Sequence, residues 1–243
     1  MKNNSTPCST INAFWQISES LLLERCLQDI FQLIVSVTAK LLDLKLCSLM
    51  IIDEERKELH TSAVYGAGLY FTDTSSVIMK MWEGLAGRVI RERKPMEVFD
   101  IQKEERGRFP EITRTEGLVS LISVPIHIGK RVLGVLNSYT SERHSFTEKE
   151  ITLLKTLANQ AAQAIQNRRW RDENELAQTE RENRKVIDQA KALLIEKKNL
   201  KEEEAYNLLR RSSRQYKKPM AEMAKAVILA FSFDEEKAQA ELI

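Results

Sequence analysis

Helix breakers are scarce in this 243-residue chain: there are eight glycines and five prolines, and neither occurs between Gly134 and Pro219. That gap excludes a loop-rich C-terminal half and predicts long helices. Cysteine is scarcer still. Cys8, Cys26 and Cys47 lack CxxC spacing and supply neither a disulfide framework nor a zinc site. The three histidines, His60, His127 and His144, are isolated, so no metal centre, haem or other cofactor is expected. Long apolar runs are missing. Residues 118–128 are interrupted by Ser, Pro and His and fall far short of the roughly 20 residues of a membrane span. The N-terminus has no apolar signal core, which makes a cytoplasmic protein without a membrane partner the expectation. No Ser/His/Asp arrangement, phosphate loop or paired-carboxylate spacing is present, so no catalytic residue is assigned and no enzyme expected. An excess of one charge is also absent: 37 Lys and Arg stand against 35 Asp and Glu, a net charge of +2. Any case for a polyanionic partner must therefore rest on a local patch.

What is present changes period along the chain. Residues 1–15 read as a flexible tail. From 17 to 42, Leu21, Leu22, Ile30, Leu33, Ile34, Val37 and Leu41 recur at helical spacing and predict one long amphipathic helix. Two strand-like runs, CSLMIID and ELHTSAVYG, flank the charged turn 54–57 and predict a hairpin. Helical spacing returns over 75–93, with Gly84 and Gly87 marking a close-packed helix start. PMEVFDI is strand-like, 100–117 is a polar excursion, and two apolar strands then meet at Gly129-Lys130. Thr147 and Glu150 have capping-box spacing and open a helix whose apolar seam runs Ile151, Leu154, Ala158, Ala161, Ile165. Continued as a heptad, the seam becomes Arg169, Asp172, Leu176, Thr179 and Asn183, a mostly polar coiled coil that would pair two chains weakly. The alternative is a solvated single-helix linker.

The order helix, hairpin, helix, strand, excursion, hairpin, long helix resembles a GAF domain. EGLAGRVIRERKPMEVFDI (83–101) and EGLVSLISVPIHIGKRVLGVLNSYTSERHSFTEKEITLLKTLANQAAQAIQNR (116–168) carry the likeness. The resemblance implies an antiparallel sheet with helices on one face and, commonly, a small-molecule pocket under the excursion. Tyr65, Tyr70, Trp82, Phe99, Phe109 and Ile112 are the residues placed to line such a pocket; the alternative is that they fill a scaffold. The excursion has no cysteine for a bilin, and the NKxxF pattern of cyclic-nucleotide members is not visible. Free-methionine-sulfoxide reductases resemble the same fold, but Cys47 has no obvious resolving partner here.

The most one-sided charge lies near the C-terminus. Between Ala205 and Ala221 there is no Asp or Glu, while Arg210, Arg211, Arg214, Lys217 and Lys218 cluster, a field suited to an anionic partner. Ile187, Ala190, Leu194, Ala205, Leu208, Leu209, Met220, Met223, Ala224 and Val227 fall at helical spacing and predict one small core, with Asn199 ending its first helix. Arg184, Ile187, Ala190, Lys191 and Leu194, then Glu203-Glu204-Ala205-Tyr206 with Leu209-Arg210, and then Lys217-Lys218-Pro219-Met220 resemble an ANTAR domain. Ala192 and Ile195 stand where that family usually has Gly and Met. The resemblance implies RNA binding and transcription antitermination. Arg184, Lys191, Arg210, Arg211, Arg214, Lys217 and Lys218 are the expected RNA contacts, and Tyr206 either stacks a base or sits at the core edge.

The expectation is thus an α+β chain: a GAF sensor over 16–166, a connecting coiled-coil helix over 150–185 and an ANTAR module over 180–241. It would form a homodimer that binds a dual-hairpin leader RNA, with a small-molecule ligand for the GAF domain. A DNA-binding regulator is the rival reading, although RQYKKPM (214–220) lacks the short glycine turn of a helix-turn-helix.

Overall fold

The computed structural model describes residues 11–12, 15–17, 19, 26–66, 78–103 and 116–240, without the side chains of Gln102 and of 233–240. Alternating apolar residues form the strands β1 (Leu46–Asp53) and β2 (Glu58–Tyr65), joined at the charged turn. β3 (Ile78–Lys80), helix α2 (Gly84–Glu92) and β4 (Met96–Val98) follow, then β5 (Ser120–Ile128) and β6 (Arg131–Thr140). These make one antiparallel sheet of order β3-β2-β1-β6-β5-β4. Gly134 lets the central pair close. A Cβ there would stand 2.0 Å from the Met50 carbonyl oxygen.

Period-two alternation sends side chains to two different cores. Cys47, Leu49, Ile122, Val124, Ile126 and Leu136 face helix α1 (Leu27–Leu42) and the first turns of α3 (Glu148–Lys198). Leu46, Met50, Leu121 and Val135 face the other way and pack with Leu85, Ala86 and Val89 of α2. Gly87 lets the chain entering α2 lie close against the helix, since a Cβ on it would lie 2.3 Å from the Trp82 backbone.

The helix over 17–42 expected from spacing is not continuous. Residues 15–17 and 19 are helical, but Cys26 is extended (φ −63°, ψ 150°) and α1 starts only at Leu27. Residues 11, 12 and 15 are helical where a loose tail was expected. Of the helix expected over 75–93, only Gly84–Glu92 forms, and residues 75–77 lie outside the described residues. Ile78–Lys80 instead adds a three-residue edge strand to β2, too short a pairing to leave a period of its own.

Helix α3 opens as its sequence predicts. The Thr147 amide donates to Glu150 Oε2 at 2.7 Å, and the Glu150 amide donates to Thr147 Oγ1 at 3.3 Å. Burial opposes ionisation of Glu150, but the Thr147 amide and hydroxyl and the His144 ring outweigh it and hold the carboxyl below its ordinary range. The approach to this helix is pinned to the start of the excursion. Ser120 Oγ donates to the Phe99 carbonyl at 2.6 Å and accepts from the His144 amide at 2.9 Å, while Arg143 holds Asp100 at 2.9 Å.

The seam read as a coiled coil has another use over its first half. Leu154, Ala158, Ala161 and Ile165 are buried in the same core as the sheet and α1, so they cover their own domain rather than face a second chain. A period of three and four identifies a buried stripe but not what buries it. Farther along, Leu176 is exposed.

The chain divides into two compact units, Met1–Arg168 and Arg169–Ile243. In the second, α3 ends at Asn199 (φ 51°), and α4 (Glu202–Tyr216) and α5 (Met220–Ala240) follow. Ala190, Leu194, Ala205, Leu209 and Ala224 are its buried core, flanked by Ile187, Met220 and Val227. Leu208 was expected inside but is 41% exposed, because it lies about 100° round α4 from Leu209 and the three helices bury only a narrow stripe.

Candidate functional site

The basic block lies on α4 and the turn that follows it. That turn is built locally: Lys217 takes a left-handed conformation (φ 52°), the Lys218 amide donates to the Ser213 carbonyl at 3.1 Å, and Ser213 Oγ donates to the Lys218 carbonyl at 2.6 Å. The left-handed backbone turns Pro219 into position to open α5.

At about 100° per residue, α4 sorts its cations. Ala205 and Leu209 point into the core, whereas Tyr206, Arg210 and Arg214 recur every four residues along one flank and are all exposed. Arg211 is exposed too, between Leu208 and Arg214 and about 60° round the helix from Arg214, so the three arginines form one exposed outer face with Tyr206 on its Arg210 side. No ion pair engages Arg210, Arg211 or Arg214 among the described residues. Lys217 is exposed at the end of the helix.

The remaining expected contacts differ in state. Lys191 is not a free cation: its Nζ lies 2.9 Å from Asp188 Oδ1 and 3.3 Å from Glu202 Oε1. Hydrogen bonds to Asp188 and then Glu202 raise its pKa, holding the ammonium charged but occupied. Lys218 pairs with Glu222 at 3.4 Å. All three acids, Asp188, Glu202 and Glu222, lie outside 205–221, so the charge count over that stretch leaves them out. Arg184 is exposed on α3, on the face that also carries Ile187, Asp188 and Lys191.

In the first unit, three of the six expected pocket residues, Tyr65, Trp82 and Phe99, are among the described residues. Tyr65 is half-buried against the helix-covered core, with Lys40 Nζ 6.0 Å over its ring, because its place in β2 aims it to the α1 side. Trp82 and Phe99 are 61% and 54% exposed, near α2 and β4. Tyr70, Phe109 and Ile112 lie outside the described residues.

A different set of side chains crosses the face opposite α1. Ser48, Asn137 and Ser123 sit side by side on β1, β6 and β5 and are all buried. Asn137 Nδ2 donates to Ser48 Oγ at 3.4 Å, and among the described residues Ser123 Oγ has no hydrogen-bond partner. Buried polar groups in an apolar face need partners, and this row is the polar break in the face that otherwise packs against α2. Sequence reasoning missed it. Alternation within β5 and β6, combined with the register of their hairpin, was the available signal.

Cys47 faces the other core. Burial pushes its thiol up to about 12, against a weaker opposing contact with Ser138 Oγ at 4.0 Å. A thiol this protonated is a poor nucleophile. We expect Ellman's reagent to label exposed Cys26 on mixing and Cys47 only as the domain unfolds; labelling of Cys47 at the Cys26 rate would show the thiol to be reachable.

The first unit is an antiparallel sheet with α1 and α3 on one face and α2 on the other, and the second is a helical module that exposes Arg210, Arg211 and Arg214. The chain belongs to the GAF family: the profile described as GAF domain matches residues 24–166, and the ANTAR domain profile matches 175–228. No curated protein sequence matches the chain. Among solved structures, the GAF domain of a phosphoenolpyruvate-protein phosphotransferase from Coxiella burnetii is similar at 24% identity and TM-score 0.61, over 69% of this chain and 99% of that one. The corresponding domain from Acinetobacter gives 22% and 0.58, over 68% and 94%. The free methionine-R-sulfoxide reductase of Neisseria meningitidis, solved with its substrate, gives 16% and 0.57, over 70% and 97%. At these identities the likenesses show the fold of the first unit.

Proposed function

We propose that this protein is a cytoplasmic transcription antitermination regulator that binds hairpin RNA in nascent leaders through its ANTAR domain and takes a signal through its GAF domain. The observation that carries the reading is the Tyr206, Arg210, Arg214 flank within the ANTAR match, where two unpaired guanidinium groups follow an exposed ring at helical spacing. Guanidinium grips phosphate bidentately, and aromatic rings stack unpaired bases, the combination that single-stranded RNA loops require.

Two copies acting together would hold two hairpins and disfavour a competing terminator. A small polar molecule at the Ser48, Asn137, Ser123 row is the proposed input, and no catalytic step is assigned. No helix among the described residues is long and apolar enough to cross a membrane. The test is binding of full-length protein to a two-hairpin RNA, a loop-scrambled control and duplex DNA at physiological salt. Selectivity of about tenfold or more for the intact loops is expected, since each correctly read base is worth a comparable factor. Equal binding to duplex DNA would favour a DNA-binding regulator instead.

A further inference from the structure

An open cleft of about 410 Å³ lies within the C-terminal unit, between one face of α3, the start of α4 and the first residue of α5. Arg184, Ile187, Asp188 and Lys191 line it from α3, Tyr206 from α4 and Met220 from α5. We propose that this cleft takes one unstacked RNA base that carries an exocyclic amino group, with the ring lying on Tyr206. The proposal rests on the RNA-binding reading of the module and adds to it a site and a base class.

Three features point to a base rather than a bare phosphate. Tyr206 keeps 41% of its surface exposed and is not part of the buried core, so its ring is available for stacking. Ile187 and Met220 supply apolar walls from the core margin. The polar lining is mixed in sign: Glu180 and Asp188 face the cleft beside Arg184 and Lys191. Two carboxylates repel a phosphate held inside, but they accept hydrogen bonds from an amino group. Guanine, adenine and cytosine carry one and uracil does not.

Lys191 fits this role better than that of a phosphate contact. Its 2.9 Å bond to Asp188 Oδ1 steadies a carboxylate that is itself 56% exposed. Arg210 and Arg214 continue from Tyr206 along the same flank of α4, where the phosphates on either side of an extruded nucleotide would run.

The test starts with full-length protein and a pool of two-hairpin RNAs having fixed stems and randomised loops. Enriched RNAs are remade with an abasic site at each loop position in turn. In the wild type, one loop position is expected to lose about tenfold in affinity when made abasic, the scale of a base–aromatic stack. In Tyr206→Ala that penalty should vanish, and in Tyr206→Phe it should persist. Uridine at the same position should cost the wild type nearly as much as the abasic site. Tyr206→Leu keeps apolar bulk on α4 and guards against a folding artefact; it should behave as Tyr206→Ala, with an unchanged helical melting curve. If loops enrich but every abasic penalty survives in Tyr206→Ala and Tyr206→Leu, the cleft assignment is overturned while RNA binding stands. If no loop enriches, the RNA reading itself falls and takes the cleft with it.

Discussion

Reversing Arg210 and Arg214 together to glutamate lowers affinity for a two-hairpin RNA by at least about 100-fold at physiological salt, or roughly 2.7 kcal/mol. The two guanidinium groups lie on one flank of α4, four residues apart, without an ion pair among the described residues to satisfy them. Each phosphate neutralised on a single strand contributes about −0.7 to the slope of log K against log salt. Losing two should therefore flatten that slope by about 1.4. Arg211→Glu changes the net charge by as much as either single reversal but lies farther round the helix from Tyr206, so its effect should be about tenfold smaller than that of the pair. Lys191→Ala should hardly move the slope, since its ammonium is occupied by Asp188 and Glu202. Filter-binding titrations between 50 and 300 mM salt, roughly the range in which such slopes are measured, check all of this. An Arg211 effect as large as that of the pair would mean that the RNA path is centred on the Arg211 side of α4 and not on the Tyr206 side.

Leu209→Ala unfolds the C-terminal unit. Leu194 and Leu209, 2% and 1% exposed, are the large side chains of its core cluster among the described residues; Ala190, Ala205 and Ala224 complete that cluster. Truncating a buried leucine costs about 2–5 kcal/mol, because the lost transfer energy is joined by that of the cavity left behind. A unit this small has a stability of only a few kcal/mol, so one such loss spends most of it. Denaturation followed by circular dichroism should show the helical signal of residues 169–243 lost at much lower denaturant, while the sheet domain retains its own transition. Leu208→Ala is the control. At 41% exposure its cost should stay below about 1 kcal/mol. Two variants of equal stability would show that the helices pack through a different stripe.

The contrast between these neighbours shows where sequence reading stops. Thr147 with Glu150, and Asn199 at the end of α3, are legible because capping depends on residues within one turn of each other. The hairpins are legible for the same reason. Spacing alone cannot say which side of a stripe is innermost, so Leu208 and Leu209 both read as core. Nor does it name the element that covers a stripe, which is why the 151–165 seam read as half of a coiled coil when the sheet claims it. Tyr65 was placed in a pocket by its proximity to the excursion, yet strand parity sends it to the α1 side.

What the sequence determined by itself is the pairing of a GAF domain with an ANTAR module and a basic block on its second helix. These follow from local periodicity, short-range caps and motif order, all of which survive without knowing what packs on what. Only the tertiary structure decided which cations are free and which polar residues meet. Lys191 is neutralised by Glu202, eleven residues away on another helix, and Ser48, Asn137 and Ser123 align only because β1, β6 and β5 pair in one register. Charge and hydrogen bonding act through space, and the chain order holds no record of such neighbours until the strands and helices have packed.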